Sequence, residues 1–106
     1  MGKTQTKTTL YVGANDKDTK RQKIADDKQR EIIAGVCYDH TDGATIYTGT
    51  GIYKHGDGAK VSEKSTIVIL YNVAQFDIMT ICQKIKTALN QESIAVEYTQ
   101  VNFDFV

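Results

Sequence analysis

The sequence predicts an α+β fold of the ferredoxin-like kind, a four-stranded antiparallel sheet with two helices on one face. At its centre is a hairpin, in which the strands Ala44–Lys54 and Ser65–Tyr71 are joined by the turn-forming residues 55–60. A strand and a helical segment precede this hairpin, and a second helical segment and a strand follow it. The resulting order, β-α-β-β-α-β, is the one that this arrangement requires.

Length and composition favour one small domain. Residues 1–7 of the 106 are polar, so we expect a flexible tail followed by a single domain over residues 8–106. Thirteen basic and thirteen acidic residues cancel, which argues against a nucleic-acid partner and against a membrane surface. The longest apolar run, Ile67–Tyr71, is too short to span a bilayer, and the N-terminus has no apolar signal segment. We therefore expect a cytoplasmic protein.

The first strand and the first helix are predicted from their apolar periodicity. Thr8–Ala14 alternates between two faces, as a pleated strand does. Residues 15–28 are dense in charge and predict a solvated loop that leads onto a helix starting near Asp26. Residues 39–43 have the composition of a turn and end this helix. Its apolar face consists of Ile32, Ile33, Val36 and Cys37.

The two hairpin strands differ in how many of their faces are apolar. In the first of them, the face that carries Tyr47 and Tyr53 also carries Gly49 and Gly51. Glycine inside a strand often marks a close approach of backbone or ligand, so we expect a shallow depression between the two tyrosines. The other hairpin strand is apolar on both faces, although the helices cover only one. We therefore expect self-association, as a homodimer or a higher oligomer, to cover the second face.

The second helix has the clearest period in the chain. Asn72–Gln75 resembles a capping box, and Asn90 is a suitable C-cap. The last strand is predicted over Ile94–Val101, and the alternation of residues 101–105 extends it toward a neighbouring subunit. The apolar face of the helix consists of Ile78, Ile81, Cys82, Ile85 and Leu89.

Candidate metal ligands and nucleophiles are few. The two histidines, His40 and His55, lie in turns that this topology places at opposite ends of a strand, roughly 35 Å apart, so we expect no metal site. Cys37 precedes His40 by three residues, but its position in an apolar helical face favours burial over catalysis. We predict neither a catalytic residue nor a cofactor.

The tyrosines indicate a binding surface on the sheet. Tyr11, Tyr47 and Tyr53 fall on the face away from the helices, and Tyr71 or Tyr98 can join them. Aromatic residues on such a face are typical of stacked RNA bases, of a stacked small ligand, or of a dimer interface. The neutral net charge argues against RNA. An oligomer interface and a planar or nucleotide-like ligand beside it remain.

A pattern of short motifs runs along these elements. It consists of Leu10-Tyr11-Val12-Gly13, then Gly43, Thr45 and Gly49-Thr50-Gly51, then Gly58, Glu63-Lys64-Ser65 and Asn90-Gln91-Glu92-Ser93. In order and spacing this pattern resembles a family of small bacterial and phage domains of unknown function, over about Leu10 to Phe105. The resemblance implies the fold and an oligomer, and it implies no activity.

The polar residues of this pattern have two readings. In the first they satisfy backbone groups at turns, and in the second they form a hydrogen-bonding rim around a ligand on the sheet. No spacing supports Glu63 and Glu92 as an acid–base pair. The candidate ligand-binding residues are Tyr11, Tyr47, Tyr53, Lys54, Glu63, Ser65, Gln91, Glu92 and Ser93.

Together these features predict a non-enzymatic, homo-oligomeric binding protein that sequesters a small nucleotide-like ligand at a subunit interface. Two alternatives belong to other classes of protein. One is an interaction module of phage type that inhibits a protein partner. The other is an enzyme of the dimeric α+β barrel kind, which would enclose a pocket with a perturbed acid or histidine.

Overall fold

The computed structural model describes residues 4–54 and 56–106. The elements follow the predicted order, β-α-β-β-α-β. Their bounds are β1 Thr4–Gly13, α1 Asp26–Tyr38, β2 Thr45–Lys54, β3 Lys60–Tyr71, α2 Gln75–Leu89 and β4 Ala95–Asn102.

The four strands form one antiparallel sheet in the order β2-β3-β1-β4. The central strands β1 and β3 pair from Lys7 opposite Tyr71 to Gly13 opposite Ser65. The Ala14 N–H still donates to the Lys64 carbonyl oxygen at 3.0 Å, and the strands β2 and β3 continue to pair beyond it, so the hairpin projects past the end of β1 as a two-stranded arm. This architecture confirms the predicted ferredoxin-like fold.

Both helices pack on one face of the sheet and form a single apolar core with it. The core contains residues of β1, β3 and both helices, and the apolar faces predicted for the helices contribute to it. Each fully buried aliphatic side chain contributes about 1.5–3 kcal/mol relative to its exposed state. The completely buried apolar residues are Leu10, Val12, Ile33, Val68, Leu70, Ile78, Ile81 and Ile85.

The other sheet face, which we call the open face, carries the alternate residues of each strand. Tyr11 of β1, Ile67 of β3 and Tyr47 of β2 lie side by side in the register, with Gly13, Ser65 and Gly49 in the row next to them. Ile67 is only 8 % exposed, so part of the apolar β3 face is already covered within one chain. Self-association therefore remains a prediction.

The sequence misplaced the capping residue of α2. The helix begins at Gln75 after Ala74, and no side chain caps it. Asn72 instead has a φ of 56° and bonds to β1, which begins at Thr4 rather than at the predicted Thr8. Its amide nitrogen donates to Gln5 Oε1 at 2.6 Å, and its Oδ1 accepts the Thr6 N–H at 3.2 Å. The longer β1 thus supplies partners that turn this side chain away from the helix.

The C-terminal segment also differs from its prediction. β4 ends at Asn102, and the residues after it fold back onto the sheet of the same chain. The Phe103 ring stacks on Tyr71 with centroids 4.3 Å apart, and Phe105 packs edge-on against Phe103 at 5.2 Å. The alternating aromatic residues therefore make a local cluster and not a longer strand. Within the described part of the chain, no helix is long and apolar enough to cross a membrane.

Candidate functional site

A carboxylate lies directly over a glycine on the open face. Glu63 of β3 and Gly13 of β1 are near neighbours in the sheet, because Gly13 pairs with Ser65. A Cβ atom on Gly13 would lie 2.8 Å from Glu63 Oε2 and 3.2 Å from Oε1. Glycine at position 13 is therefore what allows the Glu63 carboxylate to occupy this part of the sheet.

The backbone of Asn15 joins this carboxylate to the end of α2. Its N–H donates to Glu63 Oε2 at 2.8 Å, and its carbonyl oxygen accepts from Gln91 Nε2 at 2.7 Å. Hydrogen bonds to a carboxylate are among the stronger ones in proteins, so this contact fixes the orientation of the half-buried Glu63. Two of the predicted binding residues, Glu63 and Gln91, are thereby both held by the backbone of one residue.

Ser65 completes this group, which we call the glutamate end of the open face and define as Gly13, Asn15, Glu63, Ser65 and Gln91. A Cβ atom on Gly51 would lie 3.7 Å from the Ser65 hydroxyl and 3.7 Å from the Glu63 carbonyl oxygen. On Gly49 it would lie 3.0 Å from Ile67 Cδ1. The predicted depression at the glycines is therefore partly filled by side chains of β3.

Two of the predicted tyrosines border the glutamate end. Tyr11 is 42 % and Tyr47 is 49 % exposed, and they flank Ile67 across the strands. The Tyr11 hydroxyl donates to Glu97 Oε1 at 3.0 Å. This hydrogen bond is the main cause that raises the pKa of Tyr11, so the phenol stays protonated. The exposed parts of both rings are available for stacking on a ligand.

The remaining predicted residues lie farther from the carboxylate. Tyr53 and Lys54 are on the projecting hairpin arm, opposite Val61 and Lys60. Glu92 and Ser93 are exposed in the connection between α2 and β4. Tyr98 pairs with Thr8 and lies on the helix side of the sheet, whereas Tyr71 lies on the open face.

The described histidine, His40, lies beside a carboxylate and an amine, and Cys37 is buried. His40 Nδ1 lies 3.8 Å from Asp77 Oδ1, its Nε2 lies 2.7 Å from Lys84 Nζ, and His55 falls outside the described residues. Desolvation raises the pKa of the buried Cys37 thiol to about 11, so the thiolate is disfavoured. Across residues 4–54 and 56–106, no three histidine, cysteine or acidic side chains could hold a metal ion together.

A groove of about 1240 Å³ lies at the opposite end of the sheet, where the open face meets the ends of the helices. It is bordered by Asp39, His40 and Asp42 after α1, by Asp77 of α2, and by the aromatic cluster of Tyr71, Phe103 and Phe105, together with neighbouring loop residues. We call it the groove end. The sequence did not identify it, because the aromatic residues that border it read as a continuation of β4.

The sequence also missed two residues of the glutamate end, Gly13 and Asn15, as members of the site. Gly13 stands in the first motif of the pattern, where only its position at the end of a strand could have suggested a role. Asn15 acts through its backbone, so its side-chain type holds no signal. The contact between strands that gives both residues their role is visible only in the structure.

Comparisons with solved structures identify the same fold in an enzyme. A phage SAM lyase in complex with S-methyl-5′-thioadenosine is 18 % identical in sequence, over 100 % of this chain and 95 % of that chain, with a TM-score of 0.62. A phage SAM lyase in the apo state is 15 % identical, over 97 % and 93 % of the two chains, with a TM-score of 0.63. At these identities the likeness establishes the fold alone.

This finding corrects the functional prediction from the sequence. A non-enzymatic protein that sequesters its ligand was expected, and the two solved structures described above are of a phage SAM lyase. The prediction is wrong, and the comparison favours the enzyme that was its alternative. The sequence could not decide between them, because one fold can support either a binding protein or an enzyme.

The family comparison covers nearly the whole chain. No curated protein matches the sequence. The model of a family described as "Protein of unknown function (DUF3574)" matches residues 7–105. This result confirms the resemblance of the motif pattern to a family of small domains of unknown function. The chain therefore belongs to the DUF3574 family.

Proposed function

We propose that this protein is an enzyme that cleaves a sulfonium nucleoside, S-adenosylmethionine, at the glutamate end of the open face. The observation that supports this proposal most directly is the Glu63 carboxylate, held over Gly13 by the Asn15 N–H. The likeness of the whole chain to a phage SAM lyase supports this choice of substrate class and reaction.

The charges and rings of the site suit such a substrate. S-adenosylmethionine has a cationic sulfur, an ammonium group and a flat adenine. A carboxylate attracts the cationic groups, and the exposed rings of Tyr11 and Tyr47 can stack on adenine or lie against the sulfonium. Ser65 follows Glu63 on the same face of β3, and Gln91 is bonded to the Asn15 carbonyl oxygen, so both add polar groups to this end of the sheet. In this proposal Tyr53, Lys54, Glu92 and Ser93 contribute the outer contacts.

The chemistry limits where the carboxylate can act. Release of S-methyl-5′-thioadenosine breaks the bond between the sulfur and the γ-carbon of the amino-acid part, and both bonding electrons stay on sulfur. As this bond breaks, the γ-carbon bonds to an oxygen of the substrate's own carboxylate, which closes a lactone without water. Positive charge moves from sulfur toward carbon in this step. Glu63 therefore accelerates the cleavage only if its carboxylate lies nearer to the γ-carbon than to the sulfur. If it attracted the bound substrate and the transition state equally, it would not lower the barrier.

Self-association belongs to the same proposal. The rings of Tyr11 and Tyr47 are exposed in one chain, and a second copy on the open face would enclose the substrate and exclude water. The two exposed tyrosines then serve both as ligand contacts and as interface residues. Such an enzyme would meet its substrate in the cytoplasm. Analytical ultracentrifugation at the assay concentration measures the oligomer.

The test is to incubate the purified protein with S-adenosylmethionine in water enriched in ¹⁸O and to follow the products by mass spectrometry. We expect S-methyl-5′-thioadenosine and an amino-acid fragment that has formed without ¹⁸O. Glu63→Gln should lower the rate by at least about 100-fold. The matched control is Glu31→Gln, which removes an exposed carboxylate on α1.

Three results would contradict the proposal. In the first, the unaltered protein releases no S-methyl-5′-thioadenosine. In the second, Glu63→Gln turns over as fast as Glu31→Gln. The third is ¹⁸O in the first-formed fragment, which would show a hydrolase instead of a lyase.

A further inference from the structure

The loop between β1 and α1 is organised by one buried carboxylate. Asp16 is 7 % exposed, although it belongs to the charged segment that the sequence assigns to solvent. Its Oδ1 accepts the backbone N–H groups of Asp18 at 2.9 Å and Thr19 at 3.0 Å, and its Oδ2 accepts from Asn90 Nδ2 at 2.9 Å. A buried charge with this many donors holds both the loop and its partner on α2 in one geometry.

The partner residue, Asn90, ends α2 in a left-handed conformation with a φ of 48°. Its carbonyl oxygen accepts the Lys17 N–H at 3.0 Å, so the backbone and the side chain of Asn90 both bond to the loop. The next residue, Gln91, donates to the Asn15 carbonyl oxygen. Two consecutive residues after α2 are therefore joined to the consecutive loop residues 15–17.

The far end of the loop is held as well. The buried Gln29 of α1 donates from Nε2 to the Ile24 carbonyl oxygen at 2.9 Å. An isolated antiparallel β-bridge between Asn15 and Gln22 closes the part of the loop that lies between these two residues. Because the loop is fixed at both ends, a change in the hydrogen bonds of Asp16 shifts the residues next to it. One of them is Asn15, whose N–H donates to Glu63.

We propose that Asp16 is a positioning residue, which fixes the Asn15 backbone through Asn90 and thereby sets the orientation of the Glu63 carboxylate. The inference rests on the proposed function for what Glu63 does to the substrate. Asp16 is not placed among the groups that touch the substrate. Its effect on turnover is therefore transmitted through Asn15, and a displacement of Glu63 by about 1 Å is enough to lower a rate about 100-fold.

Two variants test this path. Asp16→Asn keeps an oxygen for the loop N–H groups but places an amide where Asn90 donates. Asn90→Gly removes the side-chain bonds to Asp16 and Asp18, while glycine suits the left-handed conformation, so α2 keeps its end. The matched control is Asp27→Asn, whose exposed carboxylate accepts only the neighbouring Lys28 N–H among the described hydrogen bonds.

Two readouts separate the inference from the proposed function. Amide hydrogen exchange, followed by NMR, reports whether the Asn15 N–H keeps its bond to Glu63, with or without turnover. We expect faster exchange at Asn15 by about 10-fold or more in Asp16→Asn and Asn90→Gly. With substrate, we expect kcat to fall by about 10-fold or more in both, with KM changing by less than about 3-fold. Asp27→Asn should change neither readout.

Unchanged Asn15 exchange in both variants overturns the inference, and so does faster exchange with an unaltered kcat. A loss that appears wholly in KM would show that Asp16 supports substrate binding and not the orientation of Glu63, and would overturn it too. If the unaltered protein shows no turnover, the proposed function fails, and the Asn15 exchange alone then supports or overturns the connection from Asp16 to Glu63.

Discussion

The two ends of the open face differ in how their side chains are held. At the glutamate end, hydrogen bonds of 2.7–2.8 Å connect residues of β3, of the loop after β1 and of the turn after α2. At the groove end, ring contacts hold the wall formed by Tyr71 and the C-terminal segment. Catalysis requires groups fixed to within a fraction of an ångström, which short charged hydrogen bonds provide and a stacked tail does not.

The open volume of a groove and the placement of its chemical groups are separate properties. The groove end has about 1240 Å³ of open volume, and Asp39, Asp42 and Asp77 border it without converging on one point that could bind a metal ion. At the glutamate end, the Asn15 N–H is aimed at one carboxylate. Open volume alone would therefore point to the end whose acidic groups share no common centre.

Among changes that leave Glu63 itself in place, the largest expected effect comes from Gly13→Ala. The added methyl group would lie 2.8 Å from Glu63 Oε2, so the carboxylate must move and lose its bond to the Asn15 N–H. We expect turnover of S-adenosylmethionine to fall by about 10–100-fold. The end of a flexible side chain can shift, so the free energy of unfolding should change by less than about 1 kcal/mol. Urea denaturation and the turnover assay measure the two effects.

The matched control for this glycine is Gly35→Ala. A Cβ atom on Gly35 would meet nothing within 4 Å, and the residue lies exposed inside α1. Alanine should stabilise the protein there by about 0.5–1 kcal/mol and leave turnover unaltered. Equal turnover in the two alanine variants would show that the position of Glu63 has no role in the reaction.

A smaller effect, on stability alone, is expected from Phe103→Ala at the groove end. This change removes the stacking on Tyr71 and the edge contact with Phe105, each of which contributes about 0.5–1.5 kcal/mol. We expect the free energy of unfolding to fall by about 1–3 kcal/mol, with turnover within 2-fold of the unaltered protein. Phe105→Ala removes the edge contact alone, and the residue is 93 % exposed, so its effect should be smaller. A large loss of turnover in Phe103→Ala would move the active site to the groove end.

The fold was predictable because its signals are periodic. The alternation in β2 separated Tyr47 and Gly49 from the helix face, and the spacing of Ile78, Ile81 and Ile85 defined the buried face of α2. Both patterns involve residues that are close in sequence, and the repeat of a strand or a helix determines which of them share a face.

The site was predictable only in part, because its defining contacts join distant segments. Glu63, Ser65 and Gln91 were identified, but not the path that joins them through the backbone of Asn15. Asp16 was assigned to a solvated loop, since a charged residue among other charged residues is usually exposed. Its three donors come from residues 18, 19 and 90, and the last of these has no relation to it in sequence.

The smallest expected effect is on the acid stability of the loop that carries Asn15 to the glutamate end. The hydrogen bond from Asn90, followed by those from the Thr19 and Asp18 N–H groups, lowers the pKa of Asp16 from 3.8 to about 2. A pKa that is lower in the folded protein stabilises it above about pH 4, and this contribution disappears as the pH falls toward 2. Urea midpoints at pH 2–5 should therefore depend less on pH in Asp16→Asn than in the unaltered protein. Asp27→Asn corrects for the loss of one charge, and parallel curves for all three proteins would mean that Asp16 is not held by these donors.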